Sequence, residues 1–169
     1  IAGVIEPTSG NIFINNLSLK SLLLNSYRSN LGLSLAEETP FEGTIRENIT
    51  FGNEKITDKE IYELFEAIGL SYFLKHQPNG LDTFIQPEGK LIGYTVAKKI
   101  ILARAIIKNP KLLILEDPLD QLEKEEAQKI IDYITDNSKP WGLIIVSSND
   151  AWKKKCNKQI TLVKGVIVN

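Results

Sequence analysis

Two continuous apolar segments, separated by one amphipathic segment, constrain the fold of this chain more than any other feature. They occupy residues 111–115 (KLLIL) and 143–147 (LIIVS). Strands that are apolar on both faces are typical of a parallel sheet covered by helices on each side. Between them, residues 123–135 place apolar side chains from Ala127 to Ile134 at helical spacing, which predicts a crossover helix. Strand, helix and strand form a right-handed βαβ unit, so the sequence predicts an α/β fold.

Turn signals and helical spacing divide the rest of the chain into short elements. We expect strands at residues 11–15 and 31–35 around a helix at 22–30, and a closing hairpin of strands at 159–163 and 166–168. The region from residue 44 to about residue 105 is predicted to be mostly helical. Its predicted helices cover residues 44–50, 58–69, 71–77 and 94–109.

Composition limits the classes of partner. The 169 residues fit one domain, and the formal net charge of −1 offers no general attraction for nucleic acid or anionic lipid. One cysteine, Cys156, excludes an internal disulfide framework. No apolar run reaches the roughly 20 residues that a membrane-spanning helix needs. The chain begins at Ile1 and has no methionine, so we interpret it as a piece of a longer polypeptide.

The acidic pair Glu116–Asp117 directly follows the first apolar strand. Open α/β sheets bind ligands at the carboxyl ends of their strands. A carboxylate there can hold Mg²⁺, usually with water, and a second one can orient an attacking water. The pair could equally open a loop and cap the next helix. These two residues alone do not decide between the two interpretations.

The surrounding sequence resembles a known family. Residues 101–123 (ILARAIIKNPKLLILEDPLDQLE) are similar to the Walker B region of ABC ATPases. Other segments match that family in the same order, so the resemblance covers nearly the whole chain. They are residues 1–15 (after the phosphate-binding loop), 41–52 (FEGTIRENITFG, an exporter-type segment), 77–85 (before the signature), 146–150 (the switch region) and 160–168 (the final hairpin).

The resemblance implies a P-loop NTPase-like core with a parallel sheet, truncated at its N-terminus, with an inserted helical subdomain. Residues 1–35 and 108–169 would form the nucleotide-binding core, and residues 36–107 the helical subdomain with the signature. It implies an ATPase domain of an exporter that uses ATP and Mg²⁺ and pairs with a second ATP-binding domain and a membrane domain. The resemblance places this domain at the cytoplasmic face of a membrane, and we expect that membrane to be the bacterial inner membrane. No nucleic-acid partner is expected.

The resemblance also assigns candidate site residues. Asp117 and Glu116 would be the catalytic residues. Asp117 would position the attacking water, and Glu116 would also be the metal ligand. The signature falls on residues 92–96, with Gly93, Tyr94 and Thr95 as nucleotide-binding positions. The remaining candidate nucleotide contacts are Asp120 and Ser148.

Several positions depart from the family pattern. No G-x-x-x-x-G-K-[ST] loop is present, the glutamine position holds Ala36, and the signature serine is replaced by Gly93. The usual Asp-Glu pair is inverted to Glu116–Asp117, and the switch histidine position holds Ser148. We therefore expect slow ATP hydrolysis in the intact protein and none in this chain alone. A non-catalytic ABC-like coupling domain is the alternative, and an unrelated α/β interaction module is a more distant one.

Overall fold

The computed structural model describes residues 1–168 and forms a small parallel sheet, a run of helices and two separate hairpins. The strands are β1 (Phe13–Ile14), β2 (Leu17–Ser18), β3 (Leu31–Ser34), β4 (Gly43–Thr44), β5 (Phe84–Ile85), β6 (Leu112–Glu116), β7 (Gly142–Val146), β8 (Thr161–Val163) and β9 (Val166–Val168). The α-helices are α1 (Leu24–Ser29), α2 (Ile45–Thr50), α3 (Asp58–Ala67), α4 (Ser71–Lys75), α5 (Tyr94–Ile106), α6 (Lys124–Ile134) and α7 (Asp150–Lys153).

The central sheet has three parallel strands in the order β3–β6–β7. β6 lies in the middle, and Leu113 and Leu115 on it are fully buried. The predicted βαβ unit of β6, α6 and β7 is confirmed. Because parallel strands share one carboxyl edge, the residues that follow β3, β6 and β7 meet on one side of the molecule.

The helical run between β3 and β6 is organised by local caps. Thr44 and Glu47 form a capping box at the start of α2, and Thr57 and Glu60 form another at the start of α3. Each box satisfies two backbone N–H groups that a helix start would otherwise leave free. Asp58 is a first-turn acid of α3, directly after the cap Thr57.

Helix α5 is the buried centre of the fold. It contacts α2 on one side and β3 on the other, and it is buried from Lys98 through Ala103. A helix that is covered all round needs little amphipathic pattern, so its lysines lie inside rather than on a solvated face. This placement brings the start of α5 towards the carboxyl edge of the sheet.

Two predictions on boundaries need correction. The strand predicted at residues 11–15 is shorter, because β1 pairs only with β2 in a two-residue hairpin. The helix predicted at residues 94–109 ends at Ile106, since Asn109 adopts a left-handed backbone conformation before Pro110. The division into a core and a helical subdomain stays a prediction.

Within residues 1–168, no helix is long and apolar enough to cross a membrane.

Candidate functional site

The acidic pair lies where the sequence places it, at the carboxyl end of the central strand. Glu116 is the last residue of β6, and Asp117 follows it with a left-handed φ of 38°. The backbone N–H of Asp117 donates to the Val146 carbonyl at 2.9 Å, which continues the β6–β7 ladder past the last strand residue. The pair does not cap the next helix, since Glu123 occupies the N-cap of α6. The capping part of the alternative interpretation is therefore wrong, whereas the pair does open the loop 117–123 before α6.

Glu116 has one hydrogen-bond partner among the described residues. Its Oε2 accepts from the backbone N–H of Ala36 at 3.3 Å. Ala36 follows β3, so this bond joins the carboxyl ends of two neighbouring strands. It restrains the orientation of the Glu116 carboxylate on one side and leaves the other oxygen free to meet a ligand.

The first residues of α5 contact this edge through one side chain. The Tyr94 hydroxyl donates to Oδ2 of Asp120 at 3.4 Å. Partial burial raises the pKa of the Tyr94 hydroxyl, and the charge and hydrogen bond of Asp120 raise it further, with smaller effects from Glu37 and Asp117. The fold thus gathers several acidic side chains around the start of α5.

Gly93 and Thr95 flank Tyr94. Gly93 occupies the N-cap of α5 with an ordinary φ of −64°, and no side chain caps this helix start. Its first backbone N–H groups carry the partial positive charge of a helix N-terminus, which favours an anion. Thr95 is half-buried in the first turn.

Ser148 lies apart from these groups. It is exposed in the segment between β7 and α7, and its hydroxyl forms no hydrogen bond with any of residues 1–168. The structure therefore brings Glu116, Asp117, Asp120 and Tyr94 into one neighbourhood. Ser148 follows the strand beside them without a direct contact.

Lys98 belongs to this neighbourhood and was missed by the sequence analysis. Its side chain is 6% exposed, its ammonium donates to the Ala36 carbonyl, and it lies 5.4 Å from the ring centroid of Tyr94. The available signal was the stretch 100–107 (IILARAII), which is apolar except for Arg104 and too apolar for a surface helix. A lysine two residues before such a stretch has little chance of reaching solvent.

The donor set fits a magnesium ion only with help from other ligands. Among residues 1–168, no group of three or more His, Cys, Asp or Glu side chains is placed to hold a metal ion. Mg²⁺ in nucleotide sites commonly has one or two carboxylates, with water and phosphate oxygens completing the shell. Glu116 fits the carboxylate position in such a site.

Comparisons with known proteins show the family of this chain. A family model described as "ABC transporter" matches residues 1–120. The chain belongs to the ABC transporter family. It corresponds to the ATP-binding domain of exporter-type transporters.

Curated relatives include an ATP-dependent permease MDL1 from Candida albicans, which is 34% identical over 84% of this chain and 21% of its own length. ABC transporter B family member 13 from Arabidopsis thaliana is 35% identical over 78% of this chain and 10% of its own length. The chain thus spans only about 10–21% of these curated relatives.

A solved bacterial Atm1-family ABC exporter with ATP bound superposes on 99% of this chain and 29% of its own, with a TM-score of 0.87 and 19% identity. The likeness extends the fold to the residues beyond 120, which the family model does not match. The predicted P-loop NTPase-like fold class is confirmed by it.

Proposed function

We propose that this chain is part of an ATP-hydrolysing domain that drives transport across a membrane in an exporter. One observation carries the proposal: the pair Glu116–Asp117 ends the central strand of a parallel sheet in an ABC transporter family member. Phosphoryl transfer to water needs little covalent chemistry from the protein and depends on positioning and charge stabilisation. A carboxylate at the end of a buried strand, restrained as Glu116 is by the Ala36 N–H, supports such positioning.

The proposed roles follow from the placement of the side chains. Glu116, held by the Ala36 N–H, would ligate Mg²⁺ together with the phosphates of ATP. Asp117 would orient the attacking water. Bound Mg²⁺ would offset the negative charge of the phosphates and of the acidic edge.

Other proposed contacts surround this centre. Gly93, Tyr94 and Thr95 would present the N-terminus of α5 to the phosphates of a nucleotide on the partner domain. Asp120 and Ser148 would line the nucleotide site. Turnover is expected to be slow, because Asp117 has a shorter reach than a glutamate and Gly93 has no hydroxyl. A displacement of about 1 Å can cost about 10²-fold in rate.

A membrane domain and a second ATP-binding domain are the proposed partners, at the cytoplasmic face of a membrane. The relatives come from a fungus and a plant and the solved exporter from a bacterium, so the bacterial inner membrane stays a prediction. The surface that we assign to the membrane domain is the aromatic pair Phe41 and Phe51. Their rings stack at 5.6 Å and remain partly exposed.

The aromatic pair is held rigidly from below. Arg104 lies under both rings, 5.2 Å from the centroid of Phe41 and 4.8 Å from that of Phe51. Its guanidinium donates to the backbone oxygen and to Oδ1 of buried Asn48, both at 2.8 Å. Exposed aromatic residues and arginine are enriched at protein interfaces, and a fixed pair loses little freedom on docking.

A non-catalytic coupling domain is the second candidate, and the Ala36 position favours it. Ala36 has no side-chain group for a metal or a water, although its backbone lies directly against Glu116. In that case the domain would bind ATP or dimerise without turnover.

ATP hydrolysis by the purified full-length protein separates the two candidates. The proposed ATPase should release phosphate only with Mg²⁺, and Asp117→Asn should lower the rate of release about 10²-fold or more. Binding of ATP without phosphate release would favour the non-catalytic candidate. The isolated chain, which has no phosphate-binding loop, should show no saturable binding of a fluorescent ATP analogue below the millimolar range.

A further inference from the structure

Lys98 is a buried cation that forms no ion pair with any of residues 1–168. The residue is 6% exposed, and no carboxylate of residues 1–168 lies within ion-pair distance of its ammonium. A buried charge without compensation is costly. Its one hydrogen-bond partner in the described chain is the carbonyl of Ala36. Among residues 1–168, the Lys98 ammonium therefore donates to one backbone carbonyl and to no other group.

The same peptide segment holds the candidate metal ligand. Ala36 donates its N–H to Oε2 of Glu116 at 3.3 Å, while its carbonyl accepts from Lys98. The residue is thus fixed from both sides by charged groups that belong to different elements, α5 and β6. A charged donor makes the stronger kind of hydrogen bond, so the contact with Lys98 restrains the Ala36 carbonyl, while the longer bond at 3.3 Å links the Ala36 N–H to Glu116.

The neighbouring lysine, Lys99, is also buried but does not contact Ala36. Lys99 is 5% exposed on the same helix. Its ammonium pairs with Glu126 of α6 and donates to the Gly69 carbonyl at 3.2 Å. Lys99 therefore ties α5 to α6 and the end of α3, away from the carboxyl edge of the sheet.

We propose that Lys98 is a positioning residue for Glu116: through Ala36, it fixes the orientation in which the carboxylate meets Mg²⁺. The inference rests on the proposed function for its effect on turnover. Alanine has no polar side-chain group, and the ammonium of Lys98 is the polar side-chain group that contacts Ala36 at this edge of the sheet. The start of α5 and the metal ligand are linked by one hydrogen-bonded path.

The test compares Lys98→Met, Lys98→Arg and the matched control Lys99→Met in the full-length protein. The first readout is hydrogen exchange at the Ala36 amide, which needs no activity. Lys98→Met should exchange at least about 10-fold faster than the wild type, because the restraint on the Ala36 carbonyl is gone. Lys98→Arg keeps a charged donor and should stay near the wild type. Lys99→Met should lower the Tm without changing exchange at Ala36.

The second readout is ATP turnover as a function of Mg²⁺ concentration. Lys98→Met should raise the Mg²⁺ concentration for half-maximal turnover several-fold and lower kcat about 10-fold, with the KM for ATP within about twofold. Lys98→Gln repeats the comparison if the methionine variant does not fold. Unchanged exchange at Ala36 in Lys98→Met, or equal effects of Lys98→Met and Lys99→Met, would overturn the inference. A wild-type protein without ATP turnover would overturn the proposed function, while the exchange comparison would still decide the role of Lys98.

Discussion

The backbone oxygen of Ala105 lies 2.3 Å from the point that a Cβ atom on Gly32 would occupy. Strand β3 and helix α5 therefore touch backbone to backbone at this position. Glycine in a strand often marks such a close approach. The contact sets the distance between the sheet and the helix that carries Tyr94 and Lys98.

Gly32→Ala is expected to destabilise the fold, because the new methyl group would meet the Ala105 backbone and the Leu113 side chain at 2.7 Å. Overpacking of this kind typically costs about 1–3 kcal/mol. The measurement is denaturant unfolding of the full-length protein or its ATP-binding domain. Gly142→Ala is the matched control in β7, where the nearest atom would lie at an ordinary 3.7 Å. Equal stability of the two variants would contradict the close contact.

The central sheet was predictable because its strands are apolar on both faces. β6 and β7 lie within about one residue of the segments predicted from the sequence. The two-residue strands β4 and β5 were not predictable, since Gly43 and Ile85 pair across more than forty positions of the chain. Such short strands arise from tertiary pairing and leave no periodic pattern.

The candidate site divides in the same way. A strand followed by two acids predicts where Glu116 and Asp117 lie, and the resemblance directed attention to Ala36. The bond between Ala36 and Glu116 joins residues 80 positions apart, and the contact of Lys98 with Ala36 depends on how α5 packs on β3. No local signal in the sequence specifies these distances.

The folded protein should lose stability at acidic pH, because folding lowers the pKa of several carboxylates. Hydrogen bonding to Arg46 lowers the pKa of Asp58, and the hydrogen bonds of Thr44 and Thr57 lower those of Glu47 and Glu60. A lowered folded pKa means that the stabilisation is present above the ordinary value of about 4 and is lost as the pH falls towards the folded value. The window of loss therefore lies below about pH 4.

Thermal unfolding between pH 6 and pH 3 checks this expectation. Asp58→Asn should make the Tm less dependent on pH in the acidic range. The asparagine side chain beside Arg46 does not titrate, so this contact no longer changes with pH. Glu54→Gln is the control, since Glu54 is exposed and has no ion pair among residues 1–168. A pH dependence in Asp58→Asn as steep as that of the wild type would count against the role of this ion pair.

The aromatic pair Phe41–Phe51 should contact the membrane domain of the full-length protein. A photoreactive phenylalanine analogue at position 51, where the side chain is 67% exposed, should form covalent products with membrane-spanning segments in mass spectrometry. The same analogue at position 72 is the control, because Tyr72 is 77% exposed on α4, outside the pair. Products confined to the ATP-binding domain at position 51 would show that this surface faces something else.

The two adjacent carboxylates should respond differently when each loses its charge in the full-length protein. Asp117→Asn should lower kcat about 10²-fold or more with ATP binding nearly intact, because the group that orients the water is removed. Asparagine also tolerates the left-handed backbone at this position, so the substitution removes the charge without straining the backbone. Glu116→Gln should instead raise the Mg²⁺ requirement, because it removes a charge beside the metal. Ser148→Ala should change little.

Asp117→Glu is the sharpest of these variants. It restores the longer side chain at the position of the proposed water-orienting group, and kcat should rise if the short reach of aspartate limits turnover. The left-handed φ of 38° opposes this gain, since glutamate accepts that conformation less readily than aspartate. Steady-state phosphate release, measured beside the Tm of each variant, separates the two effects. If Asp117→Asn turns over ATP as fast as the wild type, Asp117 does not orient the water, and the non-catalytic assignment of this edge becomes the better explanation for any protein that still binds ATP.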